Sequence, residues 1–166
     1  MKKHILTLSL VAMSAMQAMG ANFSFTGNLS GDDDVQLFGF SVGALSNVTL
    51  RTWSYAGGVN DAGAVIPAGG FDPILALFDS TGALIDQNDD GGANVDPDPV
   101  TGARYDTYLE ASLAPGSYTV SVMQYQNFAI GPNLSDGFGG SLTTNFEDAT
   151  GDTRTSAWAF DILNVQ

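Results

Sequence analysis

Six consecutive residues, Asp86-Gln87-Asn88-Asp89-Asp90-Gly91, carry the most specific chemical pattern in this sequence. The pattern matches the first half of a calcium loop, in which alternate oxygen-bearing side chains face one hard cation and the glycine permits a sharp turn. An EF-hand would have a bidentate Glu at the twelfth position, where this chain has Pro97, and no helical pattern flanks the loop. We therefore predict a Ca²⁺ site that is not an EF-hand, with ligands at Asp86, Asn88, Asp89 and Asp90.

The remaining ligands of such a site have to come from other acidic residues. Asp96 and Asp98 follow the loop, Asp106 begins the next predicted strand, and Asp72 precedes the earlier one. In the alternative interpretation, Asp, Asn and Gly only form a solvated turn. The crowding of carboxylates favours a bound cation, because like charges without one would repel each other.

Two further acidic segments are weaker candidates for a cation site. Asp32-Asp33-Asp34 precedes a predicted strand, but three adjacent side chains cannot all face one ion, so we interpret it as a solvated turn. Asp148 and Asp152 bracket a loop with Gly151 inside it and Thr153 directly after it, and this loop is a candidate for an additional site.

The residue types that the chain lacks exclude several kinds of active site. The single His and both Lys residues lie within the first four positions, and there is no Cys. The rest of the chain therefore cannot form a Ser-His-Asp or Cys-His site, a Schiff-base lysine, or an imidazole or thiolate metal site. We predict no enzymatic activity. A cryptic acid hydrolase built on two carboxylates stays as an alternative, although nothing singles out one pair.

The charge balance restricts the class of partner. Arg51, Arg104 and Arg154 are the only arginines, whereas Asp and Glu total 18 and the net charge is −13. Nucleic acids and anionic membranes are poor partners for such a chain, because binding phosphate requires Lys and Arg. We expect the partner to be an extracellular protein or a polysaccharide.

The first twenty residues have the three parts of a secretory signal peptide. Lys2 and Lys3 open the segment, an apolar run follows, and Ala18-Met19-Gly20 supplies the small residues of a cleavage site. We predict cleavage after Gly20, a mature domain at 21–166, and a secreted or periplasmic location with no membrane attachment after cleavage.

The remaining chain has the pattern of an all-β protein. Short segments with alternating apolar residues are separated by Gly, Asp, Asn and Pro, and no segment keeps a helical period for three turns. We predict one antiparallel, jelly-roll-like β-sandwich of about eight strands, with hairpins at 74–85 and at 105–123. The predicted strands lie at 23–25, 38–42, 47–55, 74–78, 83–85, 105–113, 118–123 and 158–162.

Five aromatic residues offer an alternative function. Trp53, Tyr55, Tyr125, Phe128 and Trp158 would form a stacking platform for sugar rings if they were exposed on one face. Aromatic side chains at strand spacing more often belong to a core. A carbohydrate-binding module is therefore kept as an alternative.

Three segments resemble the bacterial pre-peptidase C-terminal domain family. They are GDDDVQLFGFSV at 31–42, FDPILALFDSTGALIDQNDDGG at 71–92 and LAPGSYTVSV at 113–122. The family consists of β-sandwich modules on exported proteins, and the chain is similar to stand-alone members. Some members bind Ca²⁺ and assist adhesion to insoluble protein or secretion.

The resemblance also implies roles for individual residues. It makes Asp34, Asp72, Asp89 and Asp90 structural or metal-binding positions, and it makes Gly116 and Tyr118 structural. Two segments, 57–70 and 126–154, are longer than a minimal module needs. We therefore predict an exported, non-catalytic binding or structural module stabilised by one or two Ca²⁺ ions, with a role in adhesion or an extracellular matrix.

Overall fold

The computed structural model describes residues 20–166, so the predicted signal peptide lies outside the described residues except for Gly20. Ten strands and two short 3-10 turns, Gly92–Asn94 and Leu134–Asp136, make up the regular structure of this part of the chain. The strands are β1 (Ala21–Asn28), β2 (Val35–Val42), β3 (Ser46–Thr52), β4 (Gly58–Val59), β5 (Val65–Ile66), β6 (Pro73–Phe78), β7 (Leu84–Asn88), β8 (Tyr108–Leu113), β9 (Gly116–Gln124) and β10 (Ala157–Val165).

Eight of these strands form two antiparallel sheets. The first sheet has the order β1-β10-β3-β8, and the second has the order β2-β9-β6-β7. The two remaining strands, β4 and β5, form a separate ribbon within the long 57–70 segment. The predicted all-β sandwich is confirmed, with ten strands rather than eight. Within residues 20–166, no helix is long and apolar enough to span a bilayer.

The main core lies between the two sheets and follows the predicted alternation of apolar residues. Phe40 and Val42 of β2, like Val48 and Leu50 of β3, are buried and contribute to one cluster. Phe160 of β10 lies near its centre, where its ring is 5.4 Å from that of Phe25 and 5.1 Å from that of Phe38. Since successive strand residues face opposite sides, each of these strands has one face in the core.

Strand β6 is buried on both faces. Leu75 and Leu77 belong to the main core, whereas Ile74, Ala76 and Phe78 belong to a second cluster with Met123. Half-buried side chains from the long loop after β9 pack against this second cluster, among them Phe128 and Phe138. The continuous apolar run of β6 is therefore explained by cover on both faces.

One predicted hairpin is confirmed and the other is wrong. β6 pairs with β7 across the Asp79–Gly82 turn, with Phe78 opposite Leu84. β8, however, pairs with β3, and β9 pairs with β2 and β6, so the chain passes from one sheet to the other between them. The Pro115-Gly116 turn indicates that the chain reverses direction. A connection between two sheets needs such a reversal just as a hairpin does, so the turn alone does not distinguish the two.

The Asp32–Asp34 segment holds the long loop that follows β9. Asp32 Oδ1 accepts a hydrogen bond from the Phe146 amide at 2.7 Å, and Asp33 Oδ1 accepts one from the Ser141 amide at 2.7 Å. The Asn127 side chain donates to the Asp33 carbonyl at 3.0 Å. The acidic turn therefore orders a segment more than a hundred residues further along the chain, a role that its sequence does not indicate.

Candidate metal site

Three aspartates meet where the β6–β7 hairpin ends. Carboxylate oxygens of Asp72, Asp89 and Asp90 lie within 4.8 Å of one another. Asp72 immediately precedes β6 and Asp89 immediately follows β7, and the antiparallel pairing places Leu75 opposite Asn88. The hairpin therefore brings the start of one strand beside the end of the other, and the cluster follows from the pairing.

Burial and mutual repulsion make this cluster unfavourable without a cation. Asp72 is 1% exposed, and its Oδ1 and that of Asp89 are buried without a hydrogen-bond partner. Burial, and then the charges of Asp89 and Asp90, raise the pKa of Asp72 to about 9. Burial and the Asp90 charge raise the pKa of Asp89 to about 6, and burial also raises the pKa of Asp90.

The donor set fits a hard divalent cation. All three side chains offer carboxylate oxygens, which are the ligands that Ca²⁺ prefers. Buried polar atoms are normally paired, so the two unpartnered oxygens of Asp72 and Asp89 are the unusual feature of the site. An ion held by Asp72, Asp89 and Asp90 would pair these oxygens and offset the repulsion.

Asp106 was also predicted as a ligand, and it lies outside the cluster. Its Oδ1 accepts hydrogen bonds from Thr52 Oγ1 at 2.8 Å and from the Tyr55 amide at 3.1 Å, and its Oδ2 accepts one from the Ala56 amide at 2.8 Å. Burial raises the pKa of Asp106. These donors fix the chain that leaves β3, and the ligand role of Asp106 stays a prediction.

Three other predicted ligands accept hydrogen bonds from backbone amides. Asp86 Oδ1 accepts a hydrogen bond from the Gln87 amide at 2.8 Å, and Asn88 Oδ1 accepts one from the Tyr108 amide at 3.4 Å. Both residues belong to β7, since the strand extends through Asn88 and the loop begins only at Asp89. Asp34 Oδ2 accepts from the Ser30 amide at 2.6 Å, and the bonds from Ser30 lower its pKa. The ligand roles of these three residues stay predictions.

The candidate loop at Asp148 is closed by its own hydrogen bonds. Asp148 Oδ1 accepts from the amide and hydroxyl of Thr150 and from the Asp152 amide, and Oδ2 accepts from the Tyr55 hydroxyl at 2.7 Å. Burial opposes ionisation, but the bonds from Tyr55 and Thr150 outweigh it and lower the pKa of Asp148. The Asp148 charge contributes to the raised pKa of Asp72.

The two aspartates that follow the calcium-like segment form ion pairs. Asp98 Oδ2 accepts from Arg154 Nη2 at 2.9 Å, and both side chains are buried. Asp96 lies 3.3 Å from Arg51 Nη2 and is largely exposed. Sequence reasoning missed both pairs, because each joins residues at least 45 positions apart.

The five aromatic residues do not form one exposed platform. Tyr55 and Trp158 are buried, and the Tyr55 ring lies 5.0 Å from that of Tyr105. Tyr125 and Phe128 are half-buried, with their rings 6.4 Å apart. Trp53 is also half-buried, and the Arg51 guanidinium lies 3.8 Å above its ring.

Fold and site together define an all-β sandwich module with an acidic cluster at one end of a hairpin. No family model matches the sequence, and no curated protein matches it. Among solved structures, the chain is similar to the pre-peptidase C-terminal domain of a collagenase from Bacillus anthracis. The match has 14% identity and a TM-score of 0.44, and it covers 89% of this chain and 91% of that chain. That domain is of the kind that the three sequence segments resemble.

Proposed function

We propose that this chain is an exported, non-catalytic β-sandwich module that Ca²⁺ stabilises and that binds an extracellular protein or a polysaccharide, in adhesion or in a matrix. The observation that supports the calcium site is the meeting of Asp72, Asp89 and Asp90, with two buried carboxylate oxygens left unpartnered. Export is inferred from the signal-peptide pattern of residues 1–20.

The cation would act on the connection between the sheets. Asp72 immediately precedes β6, an inner strand of the second sheet. Asp89 and Asp90 begin the segment that leads to β8 in the first sheet. An ion held by these three side chains would fasten this segment to the start of β6. At a calcium concentration ten times the dissociation constant, binding would add about 1.4 kcal/mol to the free energy of unfolding.

Thermal unfolding tests the calcium site. The melting temperature of the purified protein is measured after chelation, then with millimolar Ca²⁺, and with Mg²⁺ at the same concentration. We expect Ca²⁺ to raise the melting temperature by several degrees more than Mg²⁺ does, because Mg²⁺ keeps its waters and demands stricter geometry.

Two variants test whether the rise in melting temperature with Ca²⁺ comes from the cluster. Asp90→Ala removes a cluster carboxylate and should abolish the calcium shift. Asp86→Ala removes an exposed carboxylate of the same segment that lies outside the cluster. A calcium shift that persists in Asp86→Ala would limit the site to the cluster, and a lost shift would make Asp86 a ligand as the sequence predicts. Equal shifts in the unmodified protein and in Asp90→Ala would refute the site.

A further inference from the structure

A cleft of about 580 Å³ lies on the face of the first sheet that points away from the core. Arg51 stands opposite Tyr108 of β8 on one side and opposite Asp161 of β10 on the other, so these three residues form a row across the sheet. The β4–β5 ribbon contributes Asn60 and Asp61 to the lining. The volume is within the range of small-molecule sites.

Two polar atoms in this row have no partner. Asp161 is fully buried, and its Oδ2 accepts hydrogen bonds from Trp53 Nε1 at 2.8 Å and from the Asp61 amide at 2.9 Å, but its Oδ1 accepts none. The Arg51 guanidinium stacks on Trp53 and pairs with Asp96, but its Nε donates to no acceptor. One free acceptor and one free donor therefore belong to directly paired residues of adjacent strands.

The chemistry of these two atoms selects the class of ligand. A hydroxyl group donates and accepts at once, so it can accept a hydrogen bond from Arg51 Nε and donate one to Asp161 Oδ1. An anion would satisfy Arg51 but would meet Asp61, Asp161 and the exposed Glu110. A cation would satisfy Asp161 but would meet Arg51. A neutral polyhydroxylated ligand is the class that uses both atoms.

We propose that this cleft binds a neutral carbohydrate, with a sugar hydroxyl between Arg51 and Asp161. Tyr108 and Glu110 line the same cleft and offer hydrogen-bonding groups for further sugar hydroxyls. The Tyr108 hydroxyl donates to Glu110 at 2.8 Å. The Arg51 side chain is 22% exposed, and the ligand reaches Nε and Oδ1 when this side chain changes rotamer.

This inference rests on the part of the proposed function that concerns binding of an extracellular protein or a polysaccharide, and it names the class of ligand. It does not depend on the calcium half, because Asp72, Asp89 and Asp90 do not line the cleft. The two can therefore fail separately. Calcium stabilisation without sugar binding would overturn only the cleft proposal, and sugar binding without calcium stabilisation would overturn only the calcium site.

Calorimetric titration of the purified protein tests the cleft. The probes are soluble oligomers of cellulose, chitin, laminarin and mannan, each titrated with Ca²⁺ and after chelation, together with a lysine-rich peptide. Arg51→Lys keeps the charge but removes Nε, and Tyr108→Phe removes only a hydroxyl. Arg104→Lys and Tyr118→Phe are matched controls that do not line the cleft.

We expect at least one oligosaccharide to bind, and we expect its affinity to fall about tenfold in each cleft variant, because each loses a hydrogen bond to a sugar hydroxyl. Both controls should bind as the unmodified protein does. Absence of binding to every oligosaccharide at millimolar concentration would overturn the proposal. Binding of the peptide alone, or equal losses in the controls, would overturn it as well.

Discussion

Asp72 and Asp106 are both buried, yet the protein satisfies their carboxylates to different extents. Asp106 accepts three hydrogen bonds, so its carboxylate is satisfied within the protein. Asp72 keeps an unpartnered oxygen and faces two further carboxylates. Burial alone therefore does not mark a metal ligand. The number of hydrogen bonds that the protein already supplies separates the two cases.

The raised pKa values of Asp72 and Asp89 predict how stability depends on pH when calcium is absent. Above the ordinary pKa of 3.8, the unfolded chain has lost both protons, whereas the folded protein keeps them up to about pH 6 at Asp89 and about pH 9 at Asp72. The unfolded state thus binds fewer protons in this window, and the free energy of unfolding falls as the pH rises.

We expect the chelated protein to lose stability between about pH 5 and pH 8, and we expect Ca²⁺ to reduce this loss. Urea unfolding at a series of pH values measures both effects. Asp72→Asn removes the titrating carboxyl group at this position. The free energy of unfolding of this variant should therefore fall less steeply with pH than that of the unmodified protein. Identical slopes in the two proteins would show that Asp72 is ionised in the folded state at neutral pH.

The three cluster residues could be predicted from sequence, and several of their neighbours could not. Asp89 and Asp90 stand in a recognisable pattern, and Asp72 precedes the strand that pairs with theirs. Asp106 was chosen by the same reasoning, but its hydrogen-bond donors lie about 50 positions away at Thr52 to Ala56. Such donors become neighbours only through the pairing of β3 with β8.

At the scale of strands, the sequence indicates local pairing better than distant pairing. The β6–β7 hairpin was predictable, because Asp79 and Gly82 form a turn directly between two apolar runs. The β8–β9 hairpin was predicted on a similar signal and does not exist. A turn fixes the direction of the chain, but the choice of sheet depends on which edges other strands leave free.

The acidic turn before β2 gives a prediction about the loop that it holds. Asp33→Ala removes the acceptor of the Ser141 amide, and this amide should then exchange with solvent at least several times faster. Residue-resolved hydrogen exchange measures the change. The amides of β3 and β10 should keep their protection, because the main core does not involve Asp33.

Asp86→Ala is the matched control, since Asp86 is exposed and accepts only from its neighbour Gln87. In the Asp86→Ala variant, the Ser141 amide should exchange at the rate of the unmodified protein. Unchanged exchange in Asp33→Ala would mean that other contacts order the loop, such as the hydrogen bond from the Ser141 hydroxyl to the Tyr125 carbonyl.

At the scale of the whole molecule, Arg154 joins segments that are far apart in sequence. Its guanidinium donates to the carbonyls of Tyr55 and Gly70 and to Asp98, and it lies 3.8 Å above the Tyr55 ring. The Tyr55 hydroxyl in turn donates to Asp148. In a protein without Cys, this polar network links segments that no disulfide can join.

We expect Arg154→Ala to lower the free energy of unfolding by about 3–5 kcal/mol, because it leaves the Asp98 carboxylate buried without its cation. Arg51→Ala should lower the free energy of unfolding by about 1 kcal/mol or less, because Asp96 is exposed and its carboxylate is hydrated when the arginine is removed. Urea unfolding of both variants gives the comparison. Equal losses would contradict the distinction between a buried and an exposed pair.

Among residues 20–166, β10 is the strand furthest along the sequence, yet it lies between β1 and β3 in the first sheet. Strand β1 therefore finds its hydrogen-bonding partner in β10, with Ala21 opposite Val165 and Asn28 opposite Ala157. The first sheet therefore closes only through contacts between segments that are far apart in sequence, and such non-local pairing slows folding.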